Sequence, residues 1–278
     1  MTAFFNVHCQ QMQLEPKLHG VCAGYESGKW RAEQLSRYLM EWLPEFCLSY
    51  SEHESIKGTN AVSQLRAAAK TVYDTDKYDR RGEFGELLLH ALLRETMKTE
   101  PAISKIFFKD SVNNTVKGFD AIHVVDTPSG LELWLGEVKF YKDIGAAIAD
   151  VTEELKAHFE DDYLKKEFML ITNKLDPAWS GTPKLKSLLH RNKSLDEVVS
   201  TLVVPVLLTY ESKTTQGYAK ACAEYTQKIE EELAKIHARF KKANPVTHVR
   251  IELFLFPMVS KQDLLDQLHM RLVAAQGI

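Results

Sequence analysis

The stretch KGFDAIHVVDTPSGLELWLGEVKFY, residues 117 to 141, contains two acidic residues and a lysine whose positions suit catalysis: Asp120, Glu137 and Lys139. Asp120 precedes a mostly apolar run, and Glu137 and Lys139 stand two residues apart in the run that follows. The Pro-Ser-Gly sequence between the two runs is typical of a turn, so the pattern predicts a β-hairpin. Two carboxylates and an ammonium group on adjacent strands are what a metal-dependent phosphodiesterase needs to hold its metal and activate water.

The second strand of this hairpin is predicted to lie in the middle of a sheet. Side chains alternate along a strand, so Glu137 and Lys139 point to the same face. Apolar residues occupy both faces, with Leu133 and Leu135 beside the charged pair and Trp134, Val138 and Phe140 opposite. A Glu and a Lys in such a strand are costly to bury unless they are paired or bind a metal. The hairpin brings Asp120 close to Glu137, although the pattern leaves the register open.

A divalent cation is the expected occupant of this pair of acids, because two nearby carboxylates repel each other in its absence. Mg²⁺ favours oxygen ligands and keeps several waters, and Mn²⁺ is able to substitute for it. We expect Asp120 and Glu137 to hold the metal, with the backbone carbonyl of Val138 as a further ligand. Lys139 would orient or help to deprotonate the attacking water, or offset charge in the transition state.

A fourth acid is predicted on the helix RGEFGELLLHALLRETMK that precedes the hairpin. Helical spacing groups Glu86 with Leu89 and Leu93, nearer the buried side, and favours Glu86 over Glu83 of the same turn. Glu86 would then bind the metal, its water shell or a second ion. The alternative is that Glu86 is a solvated residue or pairs with a neighbouring arginine.

The order of these residues carries a resemblance. E-x-K alone occurs four times in the chain, but only Glu137-Val138-Lys139 lies in an apolar alternating strand behind a hairpin that carries an acid. With Glu86 on a helix and Asp120 on the preceding strand, this order resembles the PD-(D/E)xK nuclease superfamily. The resemblance implies a restriction-endonuclease-like core at about 80–210. Asp120 follows Gly-Phe where the superfamily pattern has Pro before the acid, and only the acid is chemically required.

A wider resemblance covers most of the chain. The RGEFGE helix, the KGFDAIHV strand and the GEVKFY strand are similar to those of the HamA family, the effector nucleases of the Hachiman anti-phage defence system. This resemblance implies a metal-dependent DNase in a complex with a helicase partner, HamB, which restrains the nuclease until it senses aberrant DNA. The competing hypothesis is a non-catalytic module that binds and regulates a helicase, in which the charged residues form a salt-bridged hairpin.

Composition agrees with a partner that supplies DNA affinity. The 278 residues are 45% hydrophobic and 26% charged, with a net charge of −3, whereas proteins that grip nucleic acid alone are usually basic. No apolar run reaches the ~20 residues of a membrane span, and the N-terminus lacks the pattern of a secretory signal. Four scattered cysteines form no CxxC pair. We therefore expect a cytoplasmic protein without a membrane segment.

The coarse pattern predicts an α/β fold: a mixed central sheet flanked by helices, with N- and C-terminal α/β additions. The predicted division is an N-terminal region at 1–75, the nuclease core at 76–210, and a helix-strand-helix extension at 211–278 packed on the core. Helices are predicted at 29–43, 61–73, 81–98, 143–159, 214–243 and 260–274, and a loop at 48–60. Strands are predicted at 105–109, 119–126, 131–141, 168–172, 201–209 and 247–256. Pro205 places its strand at a sheet edge or at a bulge.

Three other groups of residues have open interpretations. His90 and His123 are predicted to be structural, and ligation is the alternative. The basic stretch around Lys184 and Arg191 contacts phosphates or is an ordinary solvated surface. The apolar stripe of the long C-terminal helix packs on this protein's own core or docks on a partner, and it consists of Ile229, Leu233, Ile236 and Phe240.

Overall fold

The computed structural model describes residues 3–72, 82–104 and 118–278. Its strands are β1 (Asn6–Gln11), β2 (Lys17–Cys22), β3 (Tyr25–Glu26), β4 (Lys29–Trp30), β5 (Glu100–Ile103), β6 (Ala121–Thr127), β7 (Gly130–Lys139), β8 (Leu202–Glu211) and β9 (Arg250–Met258). Its helices begin with α1 (Ala32–Glu41), α2 (Leu43–Cys47), α3 (Tyr50–Glu54), α4 (Ala61–Val72) and α5 (Glu83–Leu92), which continues as a π-helical segment (Leu93–Met97). The remaining helices are α6 (Ile144–His158), α7 (Asp161–Lys174), α8 (Thr182–Leu188), α9 (Leu195–Val199), α10 (Lys213–Gln216), α11 (Ala223–Ala243) and α12 (Lys261–Gly277).

Seven strands form one mixed sheet in the order β1-β2-β9-β8-β7-β6-β5, and β3 pairs with β4 in a separate small sheet. The pairs β2–β9, β9–β8 and β8–β7 are parallel. The pairs β1–β2, β7–β6 and β6–β5 are antiparallel. The sheet contains strands from all three predicted segments, 1–75, 76–210 and 211–278. The N-terminal strand β2 joins the core through its pairing with the C-terminal strand β9. The structure is thus a mixed α/β fold with a central sheet flanked by helices.

Two layers of helices cover the sheet. Apolar side chains of α1, α2, α4, α5 and α12 pack on one face, and those of α6, α7, α8, α9 and α11 pack on the other. The apolar stripe of α11 belongs to the second layer and is buried against the protein's own core. This confirms the prediction that the stripe packs on this protein's core. Among the described residues, no helix is both long enough and apolar enough to span a membrane.

The segment Phe168–Thr172, predicted as a strand, is helical and lies within α7. Leu164, Phe168 and Ile171 are buried at helical spacing, whereas Met169 and Leu170 are exposed. A short apolar run has the same composition in a buried strand and in a helix, and here the 3.6-residue period decides the outcome. The strand that lies parallel to β7 is β8 instead.

The prediction that Pro205 lies at a sheet edge or at a bulge is wrong, because β8 lies between β7 and β9 in the middle of the sheet and keeps a constant register with both. Pro205 pairs with Glu252 of β9, and on its other side it faces Gly136 of β7. A Cβ on Gly136 would lie 3.3 Å from the Cγ of Pro205, so the absence of a side chain on Gly136 leaves room for the proline ring. The pairing of β7 with β8 also skips Gly136 and Pro205, since proline has no backbone hydrogen to donate.

Other predicted boundaries need smaller corrections. The helix predicted from residue 29 begins at Ala32, because Lys29–Trp30 forms β4, and the loop predicted at 48–60 contains α3. The helix predicted at 214–243 is divided into α10 and α11, and the π-helical segment replaces the end of the helix predicted at 81–98. The strand predicted at 105–109 lies outside the described residues.

Candidate functional site

The hairpin that carries the predicted acids forms as expected. Thr127 pairs with Gly130 across a two-residue turn, and β7 is a central strand between β6 and β8. Glu137 and Lys139 lie on the face that packs against α6, together with Leu133 and Leu135 of the same strand. Both charged residues are buried, with exposed fractions of 1% for Glu137 and 8% for Lys139.

Asp120 lies beside this pair at the start of β6. The register that pairs Ala121 with Gly136 places Asp120 next to Glu137. The backbone N–H of Asp120 donates to the Gly136 carbonyl at 2.7 Å, and Oδ2 of Asp120 accepts from the backbone N–H of Val138 at 2.8 Å. The carboxylate is therefore held against the backbone between Glu137 and Lys139, and the structure brings these three predicted residues together.

A row of polar contacts joins β7 to α6, and we call it the strand–helix ladder. Its members are three pairs: Glu137 with His158, Lys139 with Glu154, and Tyr141, just beyond the end of β7, with Asp150. Oε1 of Glu137 lies 2.6 Å from Nδ1 of His158, and Nζ of Lys139 lies 2.5 Å from Oε2 of Glu154. The hydroxyl of Tyr141 donates to Asp150, and this hydrogen bond, followed by burial, raises the pKa of Tyr141 to about 12.

The geometry of the two elements explains the ladder. Alternate residues of a strand are about 6.6 Å apart, and every fourth residue of a helix is about 6 Å apart along its axis. Because α6 turns back over β7, the order of the partners is reversed along the helix. Asp143 starts α6 by accepting from the Ala146 N–H at 2.7 Å, which sets the direction of the helix directly after the strand.

Sequence reasoning missed the α6 partners of the acids. The signal that could have found them is the four-residue spacing of Asp150, Glu154 and His158 on the helix that follows the ExK strand. This spacing places the three polar side chains on one side of an otherwise apolar helix face. The same face buries Ala147, Val151 and Leu155.

The Gly-Phe sequence before Asp120 has a structural reason. Gly118 has a φ of +139°, a conformation that residues with a side chain rarely adopt. A Cβ at this position would also lie 2.9 Å from Oε1 of Glu167, a buried acid of α7. Glycine therefore allows the chain to pass close to Glu167 before it enters β6.

The helical acids lie on α5, in the helix layer on the other face of the sheet. Helix α5 packs on the sheet face opposite to Glu137 and Lys139, with Gly85 against Val138 and Phe140. Glu83 is buried, with an exposed fraction of 8%, whereas Glu86 is half-buried. The prediction that Glu86 lies nearer the buried side than Glu83 is therefore wrong, because Glu83 shares the helix face that packs into the core.

The two histidines near the site in sequence belong to a buried hydrogen-bond chain. Nδ1 of His90 lies 3.2 Å from Nε2 of His123, and Nε2 of His90 lies 3.0 Å from Oε2 of Glu45. The hydroxyl of Thr99 lies 2.7 Å from Nδ1 of His123. These contacts support a structural role for both histidines, as the sequence predicted.

Metal sites with several side-chain ligands are absent from the described parts of the chain. In residues 3–72, 82–104 and 118–278, no group of three or more His, Cys, Asp or Glu side chains is arranged to hold a metal ion. In the basic stretch, Lys184 forms an exposed ion pair with Asp126 near the hairpin turn. The contacts with phosphate that were considered for this stretch stay a prediction.

Comparison with known proteins assigns the chain to a family. No curated protein matches the sequence. The sequence model of the HamA family matches residues 2–272, which is nearly the whole chain. The chain therefore belongs to the HamA family, which places it in the Hachiman anti-phage defence system.

Proposed function

We propose that this protein is a metal-dependent DNA endonuclease of the PD-(D/E)xK superfamily, the effector of a Hachiman complex controlled by a HamB-like helicase in the cytoplasm. The observation that carries the proposal is the position of Asp120. Its Oδ2 accepts from the N–H of Val138 at 2.8 Å, so one acid lies beside the backbone that joins Glu137 to Lys139. Acid, acid and lysine thus meet at the ends of two adjacent strands.

The order of elements supports a restriction-endonuclease-like core. Along the chain, α5 is followed by β5, β6, β7 and α6, and β8 comes next after the further helices α7, α8 and α9. Strand β6 is antiparallel to both neighbours, and β8 returns parallel to β7 after a crossover that contains α6, α7, α8 and α9. The order agrees with the predicted nuclease core in α5, the hairpin and α6, whereas the strand parallel to β7 is β8 rather than the segment 168–172, and the strand predicted at 105–109 lies outside the described residues.

The residues fit a cation that needs few protein ligands. Asp120 and Glu137 provide two carboxylates on one sheet face. This suits Mg²⁺, which proteins often bind through one or two carboxylates while water or phosphate oxygens complete the coordination shell. The carbonyl of Val138 could add a ligand, with Glu86 as a further candidate. When bound, Mg²⁺ or Mn²⁺ would polarise a phosphoryl oxygen and lower the pKa of a bound water.

The protein's own groups would orient the two carboxylates and act on the attacking water. The N–H of Val138 and the ring of His158 hold Asp120 and Glu137 in place, so their carboxylates need no large rearrangement. The side chain of Lys139 has an exposed fraction of only 10%, and its ammonium group lies against Glu154. Because little solvent reaches this side chain, its charge is weakly screened. Lys139 can therefore orient the attacking water, or stabilise negative charge on the phosphate more strongly than a fully solvated lysine would.

Plasmid cleavage tests the proposal. Purified protein, alone and with its candidate helicase, is incubated with supercoiled DNA and Mg²⁺, with and without EDTA. We expect nicking that EDTA abolishes and that is lost in Glu137→Gln and Lys139→Ala. Matched controls are Glu153→Gln and Lys156→Ala, which make the same changes at exposed positions of α6 and should cleave normally.

The outcomes separate the two functional hypotheses. Equal nicking by the wild type and by both site variants, all with unchanged melting temperatures, would show that the activity comes from elsewhere. Absence of cleavage in every condition, together with tight binding to the helicase, would instead favour the non-catalytic module.

A further inference from the structure

We propose that His158 is a positioning residue for Glu137, which it holds by one oxygen so that this carboxylate is oriented for a metal. The inference rests on the proposed function, because it assigns a role within the same site. His158 lies on α6, 21 residues after Glu137, and belongs to no part of the PD-(D/E)xK pattern.

The contact itself indicates orientation. Nδ1 of His158 lies 2.6 Å from Oε1 of Glu137, and the side chains have exposed fractions of 13% and 1%. An ionised carboxylate only accepts hydrogen bonds, so the hydrogen of this contact is on Nδ1. Carboxylate ligands of metals are commonly held by such outer hydrogen bonds, which fix the direction of the remaining lone pairs.

The ring of His158 is itself fixed by its neighbours. It stacks on Tyr163 of α7, with 4.4 Å between ring centroids and 16° between ring planes. Phe119 packs edge-on against it at 5.0 Å, directly before Asp120 in the chain. His158 therefore contacts Glu137 directly and reaches Asp120 through its neighbour, which couples the two proposed metal ligands to one rigid ring.

A packing role alone is the competing explanation, and two substitutions separate it from positioning. The side-chain amide of Asn can place its nitrogen where Nδ1 of histidine lies, whereas the longer Gln places its nitrogen near the position of Nε2. Both substitutions remove the aromatic stacking on Tyr163. A difference between the two variants therefore reports the hydrogen bond to Glu137 rather than the packing of the ring.

Mn²⁺ binding to the full chain, followed by electron paramagnetic resonance of the free ion, provides a measurement that does not depend on activity. We expect His158→Asn to bind Mn²⁺ within about threefold of the wild type and His158→Gln to bind about tenfold more weakly or worse, the range typical of lost outer-shell partners. Glu137→Gln should remove the binding and so locate the site. The same two changes at exposed His190 should leave the affinity unchanged.

Each result decides something. Glu137-dependent binding that is equally strong, or equally weakened, in His158→Asn and His158→Gln would overturn the positioning role and leave the proposed function standing. If the wild type shows no Mn²⁺ binding, or binding that Glu137→Gln does not change, the proposed metal site is wrong and the role of His158 falls with it. In the cleavage assay, the Mg²⁺ concentration for half-maximal rate should rise in His158→Gln and stay near the wild-type value in His158→Asn.

Discussion

Gly85 of α5 lies against Phe140 so closely that a Cβ added to Gly85 would be only 2.7 Å from the Cβ of Phe140. The same added atom would lie 3.3 Å from Cγ2 of Val138. This close approach seats the first turns of α5 on the strand that carries Glu137 and Lys139. The helical acids Glu83 and Glu86 owe their position near that strand to the missing side chain.

Gly85→Ala should therefore destabilise the protein even though alanine is the better helix former. We expect a loss of about 1–3 kcal/mol in the free energy of unfolding, because α5 or Phe140 must move to admit the methyl group. Urea denaturation followed by circular dichroism measures the change. Gly58→Ala is the control, since a Cβ at Gly58 meets nothing within 4 Å and the change should be within about 0.5 kcal/mol. Equal effects in the two variants would contradict the close packing.

The buried chain of Glu45, His90, His123 and Thr99 has one arrangement of hydrogens in which both histidines are neutral and every contact is satisfied. Thr99 donates to Nδ1 of His123, Nε2 of His123 donates to His90, and Nε2 of His90 donates to Glu45. Burial lowers the pKa of His123 well below its usual value, and a proton on His90 would lower it further. Burial alone would raise the pKa of Glu45, but His90 and Arg94 bring it down to about 2.

Stability should consequently fall as the pH falls below the ordinary histidine pKa of about 6.5. In that range the unfolded chain binds a proton at His123 and the folded chain does not, so each pH unit removes up to about 1.4 kcal/mol. Unfolding free energies measured between pH 7.5 and pH 5 test this. Replacing His123 by Asn lowers stability throughout but should make the decline shallower, because the titrating group is gone. Parallel declines for the wild type and His123→Asn would rule out His123 as the source.

Local patterns were sufficient for the hairpin and for most helices. The alternation of β7 and the turn before Gly130 depend on neighbours in the chain, so the faces of Glu137 and Lys139 could be predicted. The proximity of Asp120 followed from the hairpin, and only the register was open. The hairpin pattern was therefore sufficient to predict which two acids and which lysine lie together in the candidate site.

Features that depend on distant parts of the chain could not be predicted in the same way. Pro205 is tolerated in a central strand because Gly136, on another strand, leaves space for its ring. His158 meets Glu137 only because α6 folds back over β7, and the sequence alone does not show how the helix is rotated. The pairing of β2 with β9 joins residues more than 200 positions apart.

DNA affinity should be weak for the isolated chain. With a net charge of −3, the protein lacks the excess of cations that displaces counterions from DNA. We expect a dissociation constant of about 10⁻⁵ M or weaker for a short duplex at physiological salt, measured by fluorescence anisotropy. Addition of the candidate helicase should strengthen binding. Tight binding by the chain alone, with little dependence on salt, would contradict a partner that supplies the affinity.

The π-helical segment after α5 directs two adjacent side chains to different partners. Arg94 donates to Glu45 at 2.9 Å, while the carboxylate of Glu95 accepts from the backbone N–H groups of Phe4 and Phe5 at 2.9 and 2.8 Å. Glu95 also accepts from the hydroxyl of Tyr38. The carboxylate of Glu95 thus anchors Phe4 and Phe5 to the π-helical segment.

Glu95→Ala should release this anchor without disturbing the sheet. The N–H groups of Phe4 and Phe5 lose their acceptor, and we expect the free energy of unfolding to fall by about 1–3 kcal/mol. Hydrogen exchange at these two amides should accelerate strongly, while amides within β7 keep their relative protection because β7 lies at the centre of the sheet. Glu54→Ala, at an exposed position, serves as the control. Unchanged protection of Phe4 and Phe5 in Glu95→Ala would show that packing of Phe5 against Tyr38 and Phe256, rather than the carboxylate, holds the segment in place.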